Sequence, residues 1–132
     1  MVTQINVILM IELIQAKITT AVKGWNTDLQ NLANSKEIIA INFGAQKVYN
    51  GFELYLSGHI WYDEHNLWLL DKMWSPDKDY ISLGRESLEF DRLIILEEYE
   101  NILKKEITSS KDLYRDFIVA VGLVDGEIKR LK

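Results

Sequence analysis

The chain lacks cysteine, and among its 132 residues it contains one proline and two histidines. Without cysteine it has no disulfide, no thiolate zinc site and no cysteine nucleophile. The seven glycines stand singly and never form the G-x-G-x-x-G or G-x-x-x-x-G-K-[ST] phosphate loops. The G-x-S-x-G and H-E-x-x-H signatures are also missing. We therefore predict no cofactor, no metal and no catalytic residue.

Positive charge is scarce, because 15 Lys and Arg oppose 20 Asp and Glu, giving a net charge of −5. The excess of acid is confined to residues 52–100, which carry −8, whereas residues 1–51 carry +1 and residues 101–132 carry +2. A negative potential attracts basic partners and repels nucleic acid and anionic membranes. The charge thus predicts a basic protein partner, with no nucleic acid and no membrane. Ordinary solubilising acids are the alternative.

A long hydrophobic run is also missing. The most apolar stretch, residues 5–14, contains Asn6 and Glu12 and is far shorter than the roughly 20 residues that cross a bilayer. No Lys or Arg precedes it and no small-residue cleavage site follows, so it does not resemble a signal peptide. We expect a cytoplasmic, bacterial-type protein that forms a single domain over residues 1–132.

Apolar residues recur at steps of three and four between Val7 and Trp25, which predicts an amphipathic helix. Val2 or Thr3 can open this helix, and Lys23-Gly24 can close it. The neighbouring apolar residues 8–10 and 13 widen its stripe, so we expect it to be buried on most sides. Asn26 or Thr27 can cap a short second turn that carries Leu29 and Leu32.

From residue 37 to residue 84 the apolar period changes to two, which is typical of strands. The Asn50-Gly51 pair between two extended runs is a strong hairpin signal. We predict strands over residues 37–49, with a bulge at Gly44, and over 52–62, 67–74 and 80–83. These four strands would form an antiparallel meander.

Helical spacing returns after residue 87. Ser87 can cap a helix over residues 88–107, and Ser109 with Asp112 can open a last helix that ends at Gly122. The apolar face of this last helix would be Leu113, Phe117, Ile118 and Val121. The tail, residues 123–132, would turn at Asp125-Gly126 and continue as a frayed strand. The predicted fold is α+β, with an N-terminal helix, the meander, and two C-terminal helices packed on one sheet face.

The other sheet face is the candidate working surface, because it mixes aromatic and polar side chains. In the second predicted strand, Phe52, Leu54 and Leu56 would face the core. The positions between them would point to the other face. Their side chains are too polar for a core and too aromatic for an ordinary solvated face. Residues of matching parity in the third predicted strand would extend this surface. The candidate binding residues are Glu53, Tyr55, His59, Trp61, Trp68, Lys72 and Trp74.

Three interpretations of this surface compete. Exposed Trp and Tyr are common at the centres of protein interfaces. The same side chains on a curved sheet can line a small-ligand cavity, with Glu53 and His59 as its oriented polar groups. In the third interpretation the tail or a helix crosses the face and buries the aromatic side chains as a second small core.

Other constellations are weaker. His59 and His65 would lie roughly 20 Å apart on an extended strand, too far to share a metal ion without a tight turn. Ser57 shares a face with His59, but we expect contact only if a bulge at Gly58 bends the strand. The acids at residues 97, 98 and 100 fit a solvated helix face.

These observations predict a non-enzymatic, acidic protein-interaction domain, for example a neutralising partner of a basic toxin or nuclease. That example depends on an analogy of size and charge alone. One alternative is a small-ligand-binding or hydrolytic domain with an aromatic-lined pocket between sheet and helices, using His59 as a base or Glu53 as an acid. Another is a homodimer that buries its aromatic faces against each other.

Overall fold

The computed structural model describes residues 4–33, 37–124 and 126–132. Within them, four α-helices accompany one five-stranded sheet, so the predicted α+β class is confirmed. The helices are α1 (Gln4–Gly24), α2 (Asn26–Ala33), α3 (Arg92–Ser109) and α4 (Lys111–Tyr114). The strands are β1 (Ala40–Val48), β2 (Gly51–His59), β3 (Tyr80–Ser82), β4 (Ile118–Leu123) and β5 (Ile128–Arg130). Two 3₁₀ helices, Leu67–Leu70 and Arg85–Glu89, lie in the connections.

The first helix follows the predicted apolar stripe. Ile14, Ile18, Val22 and Trp25 are buried against the sheet at helical spacing. The predicted start at Val2 or Thr3 lies outside the described residues. The expectation that the helix is buried on most sides is wrong for its first half, since core contacts begin only at Ile14 and the side chains of residues 8, 9 and 13 are exposed.

The sheet has the order β3-β2-β1-β4-β5 and is mixed rather than antiparallel. The hairpin strands β1 and β2 pair antiparallel, whereas β4 pairs parallel to β1 in the centre of the sheet. The edge strands β3 and β5 are antiparallel to their neighbours. The predicted four-stranded antiparallel meander is therefore wrong, because a strand from the C-terminal region joins the sheet beside β1.

The hairpin between β1 and β2 lies where Asn50-Gly51 predicts it. The turn is made by Tyr49 and Asn50, and Gly51 opens β2 with φ 127°. Only glycine fits there, because a Cβ would collide with the Gly84 carbonyl oxygen as well as strain the backbone. The register runs without interruption from Ala40 opposite His59 to Val48 opposite Gly51, so the predicted bulge at Gly44 is absent from this hairpin.

The predicted strand over residues 67–74 is wrong. Asn66 takes the left-handed conformation at φ 63° and turns the chain into the first 3₁₀ helix. The Asp63 carboxylate accepts a hydrogen bond from the Trp68 backbone N–H at 3.0 Å and fixes that turn. Trp74 forms one isolated bridge to Gly58. The last predicted strand, residues 80–83, corresponds to β3, which pairs with β2.

The start of α3 also differs from the prediction. Ser87 does not cap it, because this residue is buried in the second 3₁₀ helix, where its hydroxyl accepts from the Phe52 backbone N–H and donates to the Gly84 carbonyl. The cap is Asp91, whose carboxylate accepts from the Leu93 N–H at 2.8 Å. Ile95, Leu96, Tyr99 and Leu103 then form the buried side of α3.

The predicted last helix is wrong over residues 115–122, because α4 ends at Tyr114 and the chain continues as β4. Ile118, Val119 and Val121 are β-branched and pack well on a pleated surface. A central strand that is covered on both faces needs such a continuous apolar run, and five of the six β4 residues are buried. The predicted strand in the tail is present as β5.

The sheet separates two cores. On the helix face, alternate residues of β1, β2 and β4 pack under the helices, with Phe43 at the centre. On the opposite face a smaller core forms around Trp68, which packs on Ala40 and Ala120. None of the helices in the described ranges is long and apolar enough to cross a membrane.

Candidate functional site

The connection between β2 and β3, residues 60–79, is named the covering loop. Its first part covers the sheet face opposite the helices. Its last part packs on the helix side, where Trp74 contacts the helix-side core and the Lys78 carbonyl accepts from the Trp25 indole at 3.2 Å.

Trp68 is the fully buried anchor of the covering loop on the sheet face opposite the helices. The Trp68 ring meets the His59 ring edge-on, with centroids 4.7 Å apart, and the Tyr62 ring at 5.2 Å. The chain thus covers this face with a loop, whereas our third interpretation expected the tail or a helix. The tail strand β5 lies at the edge, with Arg130 over the Tyr62 ring.

A buried hydrogen-bonded chain connects β2 to the covering loop. His59 Nδ1 lies 3.0 Å from the Asp71 carbonyl oxygen, so this nitrogen carries the proton and donates. His59 Nε2 therefore accepts from the Ser57 hydroxyl at 2.8 Å. Burial lowers the pKa of His59 below its ordinary 6.5, so the ring is neutral at pH 7.

The contact between Ser57 and His59 needs no bulge, contrary to our expectation. The β1–β2 register is regular through both residues. Side chains at positions i and i+2 of a strand project from the same face, and the long imidazole reaches the short serine hydroxyl along the strand. Serine, histidine and an orienting carbonyl are arranged as nucleophile, base and support.

Acyl transfer additionally needs donors aimed at an oxyanion. At the neighbouring position across the strands the structure places the Asn42 side chain, whose Oδ1 has no hydrogen-bond partner among the described residues. A carbonyl oxygen repels an oxyanion, so Asn42 Oδ1 does not supply such a donor. Within the described part of the chain, no group of three His, Asp or Glu side chains is placed to hold a metal ion.

The covering loop is held at several points. The Trp61 indole donates to the Asp71 carboxylate at 2.9 Å, and the Asp71 carbonyl accepts from His59. Near the end of the loop, the Trp74 and Gly58 backbones exchange hydrogen bonds of 2.8 and 3.2 Å. These contacts give an irregular segment a defined shape without a regular strand.

The covering loop carries several exposed apolar and acidic side chains. Leu70 is 80% exposed and Met73 is 61% exposed. Ile60 and Leu67 are also exposed. The exposed acids interspersed with them along the loop are Glu64, Asp71, Asp77 and Asp79.

Beneath the loop, a cavity of about 410 Å³ opens on the sheet face. Its aromatic wall is the pair Tyr55 and Tyr80, with ring centroids 5.9 Å apart. Burial and the neighbouring Tyr80 raise the pKa of Tyr55, so its hydroxyl stays protonated. Among the described residues that line the cavity, Lys72 is the one charged side chain. The apolar lining is Leu69, Leu70, Leu123, Val124 and Ile128.

Tyr55 reaches its place because position 44 is glycine. The Tyr55 ring lies directly over Gly44 on the neighbouring strand, where a Cβ would collide with the ring. A hydrogen bond from Asn42 stabilises the phenolate form of Tyr55 and so acts to lower its pKa. Asn42 Oδ1 has no hydrogen-bond partner among the described residues, so the Asn42 amide N–H is the group that bonds Tyr55.

The structure brings only some of the candidate binding residues together. Tyr55 and Lys72 line the cavity, whereas His59 and Trp68 are buried behind it. Trp61 fastens the loop. Two candidates lie apart: Glu53 bonds Gln46 toward the hairpin end of the sheet, and Trp74 packs against the helix-side core.

Three residues of this region escaped sequence reasoning. Asn42 could have been recognised from the sequence, because it is the one polar residue in the apolar run of residues 38–45. A polar side chain in a buried strand needs a hydrogen-bond partner. Asp71 and Tyr80 could not be recognised from the sequence, since their contacts depend on how the covering loop folds. Comparison with protein-family models, curated proteins and solved structures gives no match, so the site is interpreted from its geometry.

Proposed function

We propose that the protein is a non-enzymatic interaction domain, acting in the cytoplasm, whose covering loop binds a protein partner with a basic surface. The observation that carries this proposal is the exposure of Leu70 and Met73, which alternate with exposed acids along the covering loop. Exposed apolar side chains grouped within a polar rim are typical of protein interfaces.

The anchoring of the loop supports a role in binding. Ordering a flexible segment on association costs free energy, and a segment that is already ordered avoids that cost. Here Trp68 is buried in the sheet face, and Asp71 is fastened by His59 and Trp61. The exposed side chains are therefore presented on a preformed surface.

The charge of the loop selects the partner. Residues 60–79 contain five acids and two lysines, a net charge of −3. Acids at the rim of an interface increase the association rate with a basic surface and disfavour acidic partners. The same charge disfavours pairing of this loop with a second copy of itself, so we propose a different protein as partner. A neutralising partner of a basic toxin or nuclease is the specific form of this proposal.

The test is capture of a partner by matched variants. The wild type, Leu70→Ser/Met73→Ser and Asp77→Asn/Asp79→Asn would be immobilised and exposed to lysate of the source organism at low salt. Tyr49→Ser is the matched control, because Tyr49 is 93% exposed but lies in the turn between β1 and β2, outside the covering loop. Captured proteins would be identified by mass spectrometry, purified and titrated by calorimetry.

We expect one basic protein to bind the wild type and the Tyr49 variant equally. The apolar double variant should lose at least tenfold in affinity, and the acid double variant should bind more slowly and with less dependence on salt. An acidic partner, or a purified partner that binds all four proteins alike, would show that the loop is not the interface.

A further inference from the structure

The cavity beneath the covering loop is a second feature, and of the exposed apolar residues of the loop only Leu70 also belongs to its described lining. Its volume of about 410 Å³ falls in the range of small-molecule sites, roughly 300–1,000 Å³. Strands β1, β2 and β3 supply its floor and aromatic wall, and the covering loop and the β4–β5 turn supply its apolar sides. Such a mixture of apolar walls and few polar groups is typical of ligand sites.

The charge at the cavity is opposite to that of its surroundings. Residues 52–100 carry −8, yet Lys72 is the one charged side chain among the described residues that line the cavity. An ammonium group beside apolar walls attracts an anion and repels a cation. The cavity therefore favours an anionic ligand, in contrast to the basic protein favoured by the exposed acids of the covering loop.

The floor of the cavity presents hydrogen-bond acceptors. Ser57 gives its proton to His59, so its oxygen can only accept from a ligand. Asn42 is 2% exposed, and its Oδ1 has no partner among the described residues. Asn42 and Ser57 lie directly opposite each other in the β1–β2 register, so their Cβ atoms are about 5 Å apart.

An unpaired buried carbonyl oxygen costs free energy, and a ligand hydroxyl that donates to it recovers that cost. We propose that the cavity binds a small monocarboxylate with an aromatic or short apolar body and a hydroxyl group at its far end. The carboxylate pairs with Lys72, the body packs between the tyrosine wall and the apolar sides, and the hydroxyl donates to Asn42 Oδ1.

The experiment uses three probes that differ by one group each. These are 4-hydroxybenzoate, 4-methoxybenzoate, which lacks the hydroxyl proton, and 4-hydroxybenzamide, which lacks the charge. Each would be titrated into the nitrogen-15-labelled full chain while amide chemical shifts are recorded. We expect 4-hydroxybenzoate to shift the amides of residues 42, 55, 57, 72 and 80, and to bind about tenfold more tightly than either analogue.

Two variants assign the contacts. Lys72→Gln should weaken both carboxylates about tenfold and leave the benzamide unchanged. Asn42→Val should remove the preference for 4-hydroxybenzoate over 4-methoxybenzoate. The controls are Lys78→Gln, another exposed lysine of the loop, and Gln46→Val, which lies on the same face of β1 near the hairpin.

Equal binding of 4-hydroxybenzoate and 4-hydroxybenzamide to the wild type would overturn the anion assignment. Equal binding of 4-hydroxybenzoate and 4-methoxybenzoate would overturn the role of Asn42. Shifts elsewhere in the protein, or no shifts with any probe, would overturn the site as a whole. These three comparisons use only the wild type, so they decide the proposal even if a variant fails to fold. They are also independent of whether a partner protein binds the covering loop.

Discussion

The two faces of the sheet are covered in different ways. On the helix face, the Phe43 ring contacts the rings of Trp25, Tyr99 and Tyr114 at centroid distances of 6.0 to 6.4 Å. On the loop face, Trp68 packs against His59, which hydrogen-bonds Ser57 and the Asp71 carbonyl of the loop. The same face carries the buried Asn42. Dry aromatic packing stabilises the fold, whereas a polar face under an irregular loop leaves room for a cavity. We therefore expect stability to depend on one face and binding on the other.

The largest loss of stability is expected from Phe43→Ala. This side chain is fully buried at the centre of the helix-side core, and removing a buried phenylalanine costs about 4 kcal/mol. Urea unfolding followed by circular dichroism would measure the change in the free energy of unfolding. A loss below about 1 kcal/mol would contradict the assignment of this face as the main source of stability.

Trp68→Ala should cost less, about 2 to 3 kcal/mol. The side chain is equally buried, but the covering loop can detach locally while the helices stay packed. Hydrogen exchange should show lost protection at residues 60–74 and unchanged protection in α1 and α3. Uniform loss of protection over the whole chain would show that the two faces unfold together.

We expect low pH to destabilise the packing of the covering loop on the sheet through His59. Burial holds the pKa of His59 below 6.5, so below that pH the unfolded chain binds a proton that the folded ring does not. Stability from this group is therefore present near pH 7 and falls as the pH drops through 6.5 and below. The melting temperature of the wild type should fall more between pH 7 and pH 5 than that of His59→Gln. The exposed His65, changed to Gln, is the control and should behave like the wild type.

The smallest effect is expected from Asn42→Val. The substitution removes a buried carbonyl oxygen without a partner and also the hydrogen bond to Tyr55. Because these contributions oppose each other, the free energy of unfolding should change by less than about 1 kcal/mol. A loss above about 2 kcal/mol would mean that Asn42 supports the fold, as residues of the helix face do.

The hairpin and the first helix could be predicted because their signals are local. Asn50 and Gly51 favour a turn independently of the rest of the chain. The apolar stripe from Ile14 to Trp25 forms a helix against any apolar surface that covers it. β4 could not be recognised in this way. Phe117, Ile118 and Val121 also fit helical spacing, and the deciding interaction is a parallel pairing with β1, about 78 residues away along the chain.

The sequence identified some residue types of the candidate site but not the positions that these residues take in the fold. Tyr55 and Lys72 do share a cavity, whereas the parity argument for Trp68 and Trp74 assumed a strand that does not form. Asn66 and Asp63 turn the chain into a 3₁₀ helix instead, so Trp68 points down onto Ala40. A short apolar run cannot by itself distinguish a strand from an anchored loop.

The position of β4 also has a consequence for synthesis. The hairpin of β1 and β2 can form as soon as residue 59 has been made, but the second edge of β1 pairs only with residues 118–123. Until then the growing chain carries a long apolar strand with open hydrogen-bonding groups, a template for aggregation. The sheet is therefore complete only after β4 has been made, and the second edge of β1 stays open until that central partner strand pairs with it.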